Sequence, residues 1–159
     1  MASTNTATSS AVRYRERLSP SLWVLAAAAV CGPMAALVFA PIDTTLALIA
    51  GAAVAVAVVL ALVFGSPVVG VERGMLRAGR ARIPVDLTGD PVELRGEQAR
   101  HARGSGLDPR SWHVIRGGID GVVVVPILDP DDPAPVWVIS TRTPDRLASA
   151  LKRTRTSAP

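Results

Sequence analysis

The stretch that decides the fold is LWVLAAAAVCGPMAALVFA (22–40), PID (41–43) and TTLALIAGAAVAVAVVLALVF (44–64). Between Leu22 and Phe64 the only ionisable side chains are Asp43 and the thiol of Cys31. A bilayer core is crossed by about 20 residues at about 1.5 Å rise each, so both blocks are long enough to span. The eleven Leu, Ile, Val and Phe residues of 44–64 favour insertion by about 3 to 7 kcal/mol. Residues 22–40 hold seven such residues, with Gly32-Pro33 in their middle. This weaker first span is expected to kink and to lean on its neighbour. Pro41-Ile42-Asp43 is so short a link that the two helices must form an antiparallel hairpin. Asp43 is placed to cap the second helix.

Outward from the hairpin the composition changes sharply. The chain has 159 residues, 49% hydrophobic but only 4% aromatic, and its formal net charge is +4. All the Lys and Arg, and every acid except Asp43, lie outside the apolar block. The basic excess does not indicate nucleic acid, because Arg13, Arg15 and Arg17 sit where a cytoplasmic membrane flank is expected and the rest is dispersed. A buried hairpin in a soluble protein would need a larger partner core than the remaining chain offers. A cleaved signal peptide is disfavoured by Pro41 after Ala40 and by the length of the apolar run. Cys31 is the only cysteine, which excludes an intramolecular disulfide and a Cys-based metal site.

Arg13, Arg15 and Arg17 precede the hairpin, Arg73, Arg77, Arg80 and Arg82 follow it, and its turn has no basic residue. The positive-inside rule then places both termini in the cytoplasm and the protein in the cell (inner) membrane. Small residues recur every fourth position, as Ala28-Gly32-Ala36-Ala40, Ala47-Gly51-Ala55 and Ala57-Ala61-Gly65. Such ridges allow close packing within the hairpin or between copies in a homo-oligomer.

Residues 1–21 are expected to be a disordered tail ending in the basic juxtamembrane segment Tyr14–Leu18, and residues 156–159 a short tail. Residues 65–155 read as a cytoplasmic domain. Gly74 and Gly79 punctuate a tight meander after Val68–Val71, and Gly96–Arg103 reads as a short polar helix. Ser111–Arg116 and Ile119–Ile127 read as strands of a hairpin turning at Gly117-Gly118, and Val136–Ser140 as another strand. A final helix starts with Thr143 as N-cap and Pro144 at its first position. Six or seven short strands closed by an amphipathic helix fit an α+β, pleckstrin-homology-like (PH-like) layout, a bent sheet or partial barrel. That layout alone licenses no ligand.

Several segments together carry a resemblance: Tyr14-Arg15-Glu16-Arg17-Leu18 before the spans, Gly74 to Pro84, Leu107-Asp108-Pro109-Arg110, and Trp137 to Pro144 with Leu147 and Leu151 behind them. Over about residues 13–153 the chain resembles the actinobacterial two-span membrane proteins of domain-of-unknown-function family 3093. The resemblance implies a membrane protein with a small cytoplasmic domain. It implies no activity and no site residues.

Motifs for chemistry are sparse. His101 and His113 lie on different expected elements, without HxH or HExxH spacing. Asp129, Asp131 and Asp132 are interleaved with Pro130 and Pro133 and lack the Gly and distal Glu of an EF-hand. Arg116-Gly117-Gly118 lacks the pattern of a phosphate-binding loop. No catalytic residue, metal ligand or cofactor is therefore expected. Arg13, Arg15, Arg17, Arg77, Arg80 and Arg82 are the candidate contacts to anionic lipid headgroups, although the same residues would also serve orientation alone. Arg142 is a candidate partner for an acidic ligand or for a carboxylate at the sheet edge. The expected role is a non-enzymatic module for an unidentified protein partner or the membrane surface. The alternative is an enzyme or accessory subunit acting on a lipid-linked substrate.

Overall fold

A computed structural model describes residues 14–157. The described part opens with strand β1 (Tyr14–Arg17) and enters the helices α1 (Leu22–Ala29), α2 (Cys31–Phe39) and α3 (Thr44–Phe64). Three strands follow, β2 (Val68–Glu72), β3 (Met75–Ala78) and β4 (Ala81–Pro84). A 3₁₀ turn at Val85–Leu87 leads to β5 (Val92–Leu94) and α4 (Gly96–Ala102). The chain closes with β6 (Trp112–Val114), β7 (Val122–Pro126), β8 (Val136–Ser140) and α5 (Pro144–Thr156).

The apolar helices are the expected antiparallel pair. Leu22–Phe39 and Thr44–Phe64 have mean hydropathy of 2.2 and 2.9, and only 11% of each is buried. Both are long and apolar enough to cross a membrane, and neither is covered as the core helix of a soluble protein would be. Asp43 Oδ1 accepts from the Leu46 amide at 2.8 Å, so the expected cap is formed. The first helix is interrupted at Val30, three residues ahead of Pro33, which has no N–H to offer the preceding turn. The small-residue ridges meet inside the hairpin. A Cβ on Gly32 would lie 2.9 Å from the Gly51 carbonyl oxygen, and one on Gly51 would lie 2.8 Å from that of Gly32. Ala57 and Ala61 of the remaining ridge are exposed.

Beyond the hairpin the strands form two four-stranded sheets, of orders β1-β2-β3-β4 and β5-β7-β8-β6. Three expectations need correcting. Tyr14–Arg17 is not part of a disordered juxtamembrane tail; it pairs antiparallel with β2, Tyr14 opposite Val71 and Arg17 opposite Val68. Its Tyr14 and Glu16 share the inner face, and the following Leu18 is fully buried. With this extra strand the described residues form eight strands in two sheets, where six or seven in a bent sheet or partial barrel were expected. Gly117-Gly118 does not turn a hairpin, because β6 lies parallel to β8 at the sheet edge and the chain crosses β8 to reach β7. Thr143 does precede α5, but its hydroxyl makes no capping bond and meets Tyr14 instead.

The meander β2-β3-β4 is built as the glycines imply. Arg73 and Gly74 both have positive φ (52° and 76°), the pattern of a type I′ hairpin turn. The main core joins both sheets to α5 through Leu18, Val71, Leu76, Ile139, Leu147 and Leu151, all buried. The β5-β7-β8-β6 sheet is covered on its other side too, where Val122 and Val138 pack with Ala99 of α4. The unbroken Val122–Val125 run follows from this, since a strand buried on both faces does not alternate.

Candidate basic interaction surface

Residues in direct register form rows across a sheet. In the meander sheet one row reads Arg15, Gly70, Arg77, Arg82 from β1 to β4. All three arginines are exposed, on the face turned away from the core. Gly70 leaves a notch between Arg15 and Arg77. Arg73 joins them around a depression of about 410 Å³ that also involves Glu72. Like charges directly opposite, as Arg77 and Arg82 are, disfavour the isolated sheet. Arg73 adds strain, because a left-handed backbone suits Asn or Gly far better than Arg.

The row adjoins the hairpin. Arg17 lies opposite Val68 at the end of β1 and β2 where the chain leaves for α1 and returns from α3. The Arg17 guanidinium donates to the carbonyl oxygens of Val63 at 2.9 Å and Phe64 at 3.2 Å, so it caps the C-terminus of α3. Two residues of strand, about 7 Å, separate this level from the Arg15–Arg82 row. Arg116 and Arg142 hold the same connections. Arg116 donates to the Leu18 carbonyl and to Ser66 Oγ, and Arg142 to the carbonyls of Arg17 and Ser19. Gly118 packs against Ser21 at the start of α1, so closely that an added Cβ would clash with the serine Cβ at 2.9 Å.

A second cluster joins β1 to the β8–α5 junction. The side chain of Glu16 is only 14% exposed. Its carboxylate accepts from Tyr14 Oη at 2.7 Å, Thr141 Oγ1 at 2.5 Å and the Arg142 amide at 3.0 Å. The Arg142 guanidinium pairs with it at 3.5 Å. Tyr14 Oη and Thr141 Oγ1 both spend their protons on Glu16, so the hydroxyl of Thr143, 2.9 Å from Tyr14 Oη, donates to the phenol. Burial raises the Tyr14 pKa above its ordinary value, opposed by the contacts of the phenol with the Thr141 and Thr143 hydroxyls and reinforced by Glu16. Beside this cluster lies a groove of about 640 Å³ between β1 and α5.

Of the residues expected at a lipid surface, Arg15, Arg77 and Arg82 are brought together. Arg80 occupies the β3–β4 turn near Trp112, and Arg13 lies outside the described residues. Arg17 is engaged with the end of α3. Arg142 meets a sheet-edge carboxylate, Glu16. His101 of α4 bonds Ser105 in the following turn, and His113 of β6 bonds the Ser111 carbonyl. Asp129 and Asp132 each accept a loop amide two residues ahead. Glu16, Arg146 and Arg153 were not among the site residues expected from the sequence, although Arg153 belongs to the basic end of the closing helix. The spacing of Arg146, Ala150 and Arg153 along one helical stripe was the available signal.

The architecture is that of an α+β protein in which an apolar helical hairpin interrupts an antiparallel meander between its first two strands and carries an arginine face at its base. A family model described as Protein of unknown function (DUF3093) matches residues 13–151, and the chain belongs to that family. No curated protein matches the chain, and no solved structure does.

Proposed function

We propose that the hairpin crosses the cell membrane twice, with both termini and the β domain on the cytoplasmic side. The domain then acts as a PH-like, non-enzymatic interaction module held against the anionic inner leaflet. The Arg15–Gly70–Arg77–Arg82 row is the observation that carries this reading. It lies about 7 Å from the level of the helix ends, within the screening length of about 8 Å at physiological salt. Each basic side chain at that surface contributes about 1 kcal/mol of attraction. Two four-stranded sheets with a C-terminal helix packed on their shared core support the PH-like description, and the parallel β6–β8 pair departs from it. An enzyme acting on a lipid-linked substrate would need convergent carboxylates near the membrane. The groove beside β1 has one, Glu16, already held by four donors.

Two measurements test the reading. A reporter active only outside the cytoplasm, fused after Pro159, stays silent; strong activity refutes the orientation. In nanodiscs, a fluorophore at Met75→Cys in a Cys31→Ala background is quenched by spin-labelled headgroups. Anionic lipid strengthens the quenching, and Arg77→Gln/Arg82→Gln or high salt weakens it. Quenching that ignores lipid charge refutes the surface contact.

A further inference from the structure

The groove between β1 and α5 lies around the corner from the lipid-facing row and has a different character. Among the described residues, strand β1 is an edge strand, paired only with β2. The Leu18 amide donates to Pro67 on the β2 side. By the two-residue alternation of an antiparallel pair, the amides of Tyr14 and Glu16 also face β2, while the N–H and C=O groups of Arg15 and Arg17 face the open edge. The Arg17 carbonyl is taken by Ser19 and Arg142, which closes the edge at the hairpin end. Among the described residues nothing takes the backbone N–H and C=O of Arg15, which face the groove.

The opposite wall is the stripe Arg146, Ala150, Arg153 of α5. Ala150 is buried and small, so it forms a floor, with the exposed arginines standing on either side. Seven helical residues separate these arginines by about 10 Å, close to the length of three extended residues. The side chains of Arg15, Arg146 and Arg153 make no hydrogen bond or ion pair among the described residues. The one carboxylate lining the groove, Glu16, is saturated. This is a positively charged slot with a strand edge along one side and a helix along the other. Its open backbone groups accept a strand, which a headgroup does not supply. Residues 1–13 contain no Asp or Glu and do not complement the charge. The acidic loop Asp129–Pro133 of another copy is a poor strand, because Pro130 and Pro133 donate no hydrogen bond.

We propose that an extended acidic segment of a protein partner adds to the open edge of β1, with its carboxylates paired to Arg146 and Arg153. The site rests on reading the domain as an interaction module, but it does not require the arginine row to touch lipid.

The test uses the full chain in nanodiscs of zwitterionic lipid. The probes are a fluorescent peptide of alternating Glu and Val and a backbone N-methylated peptide of the same sequence. The alternating peptide binds with salt-sensitive affinity, and both N-methylation and the double variant R146S/R153S weaken it about tenfold. R77Q/R82Q leaves the affinity unchanged. Equal binding of the N-methylated peptide, indifference to R146S/R153S, or no binding of either peptide overturns the proposal. So does lipid binding by anionic nanodiscs that depends on Arg146 and Arg153, which would give the groove to the membrane. The reporter and quenching measurements read the membrane role separately, so either reading can fail alone.

Discussion

The guanidinium of Arg17 lies 2.9 Å from the carbonyl oxygen of Val63, 46 residues further along the chain. A strand of the β domain thereby caps the last turn of the second apolar helix. Replacing Arg17 by Gln leaves the terminal carbonyls of α3 without their cationic donor. The expected loss is about 1 kcal/mol, confined to the junction. Hydrogen exchange should quicken at Ser66 and Leu18 and stay unchanged at Ile139. Unchanged exchange at the junction would deny the cap its role.

Tyr14 is the only tyrosine, so the near-ultraviolet phenolate signal reports it alone. Burial holds its pKa above the ordinary value of 10.0. The folded state therefore favours the protonated phenol. Its stabilising contribution is complete below the ordinary pKa and is lost as pH rises through the folded pKa. Spectrophotometric titration should show a midpoint above that of a free tyrosine, returning to the ordinary value on unfolding. In Tyr14→Phe, the alkaline loss of stability should be smaller than in the parent chain.

The hairpin tolerates no side chain where Gly32 and Gly51 face each other, because each would meet the other's backbone. Gly51→Val should force the helices apart at a cost of about 1 to 3 kcal/mol. Ala57→Val, on the exposed ridge, should leave the hairpin intact. Crosslinking between cysteines placed at the two helix midpoints, in a Cys31→Ala background, distinguishes them: efficient for Ala57→Val, poor for Gly51→Val.

The two neighbouring tryptophans should respond differently to replacement. Trp112 Nε1 donates to the Ala78 carbonyl at 3.2 Å, and the two rings lie 6.4 Å apart. Trp137 Nε1 is buried with no acceptor among the described residues. An unsatisfied buried donor costs about 1 to 3 kcal/mol. Trp137→Phe should therefore be close to neutral in thermal unfolding, the recovered penalty offsetting lost contacts. Trp112→Phe should destabilise by about 1 kcal/mol, as a formed hydrogen bond is lost.

Arg73→Gly should raise stability by about 0.5 to 1 kcal/mol, since glycine adopts the left-handed conformation without strain. The same change should weaken the headgroup quenching described above. A stability gain without weaker quenching would separate Arg73 from the lipid-facing surface.

The parts of the fold legible in the sequence were those with local causes. The hairpin followed from two uncharged blocks and a three-residue link, and the meander turns followed from Gly74 and Gly79. The closing helix followed from Thr143-Pro144 and the Leu147–Leu151 stripe. The errors arose where pairing is distant. Tyr14–Arg17 alternates inward and outward over only four residues, and its partner strand lies beyond the whole hairpin. Gly117-Gly118 suggested a local turn, although β6 finds β8 in parallel. At the surface, the row of Arg15, Arg77 and Arg82 needed the register of four strands, which spacing along the chain does not encode. The groove needed the packing of α5 beside β1.

The interruption of the meander between β1 and β2 has a consequence for the order of events during synthesis. Tyr14–Arg17 leaves the ribosome before α1, α2 and α3, and Val68 follows about 3 to 10 s later at ordinary translation rates. During that interval the first strand has no partner. It can pair only once α1, α2 and α3 have brought Arg17 and Val68 to the same place. Completion of the β domain thus records that the two apolar helices have been laid side by side. A chain whose hairpin is wrongly placed would expose an unpaired strand and an unfilled Leu18 site, features that invite aggregation.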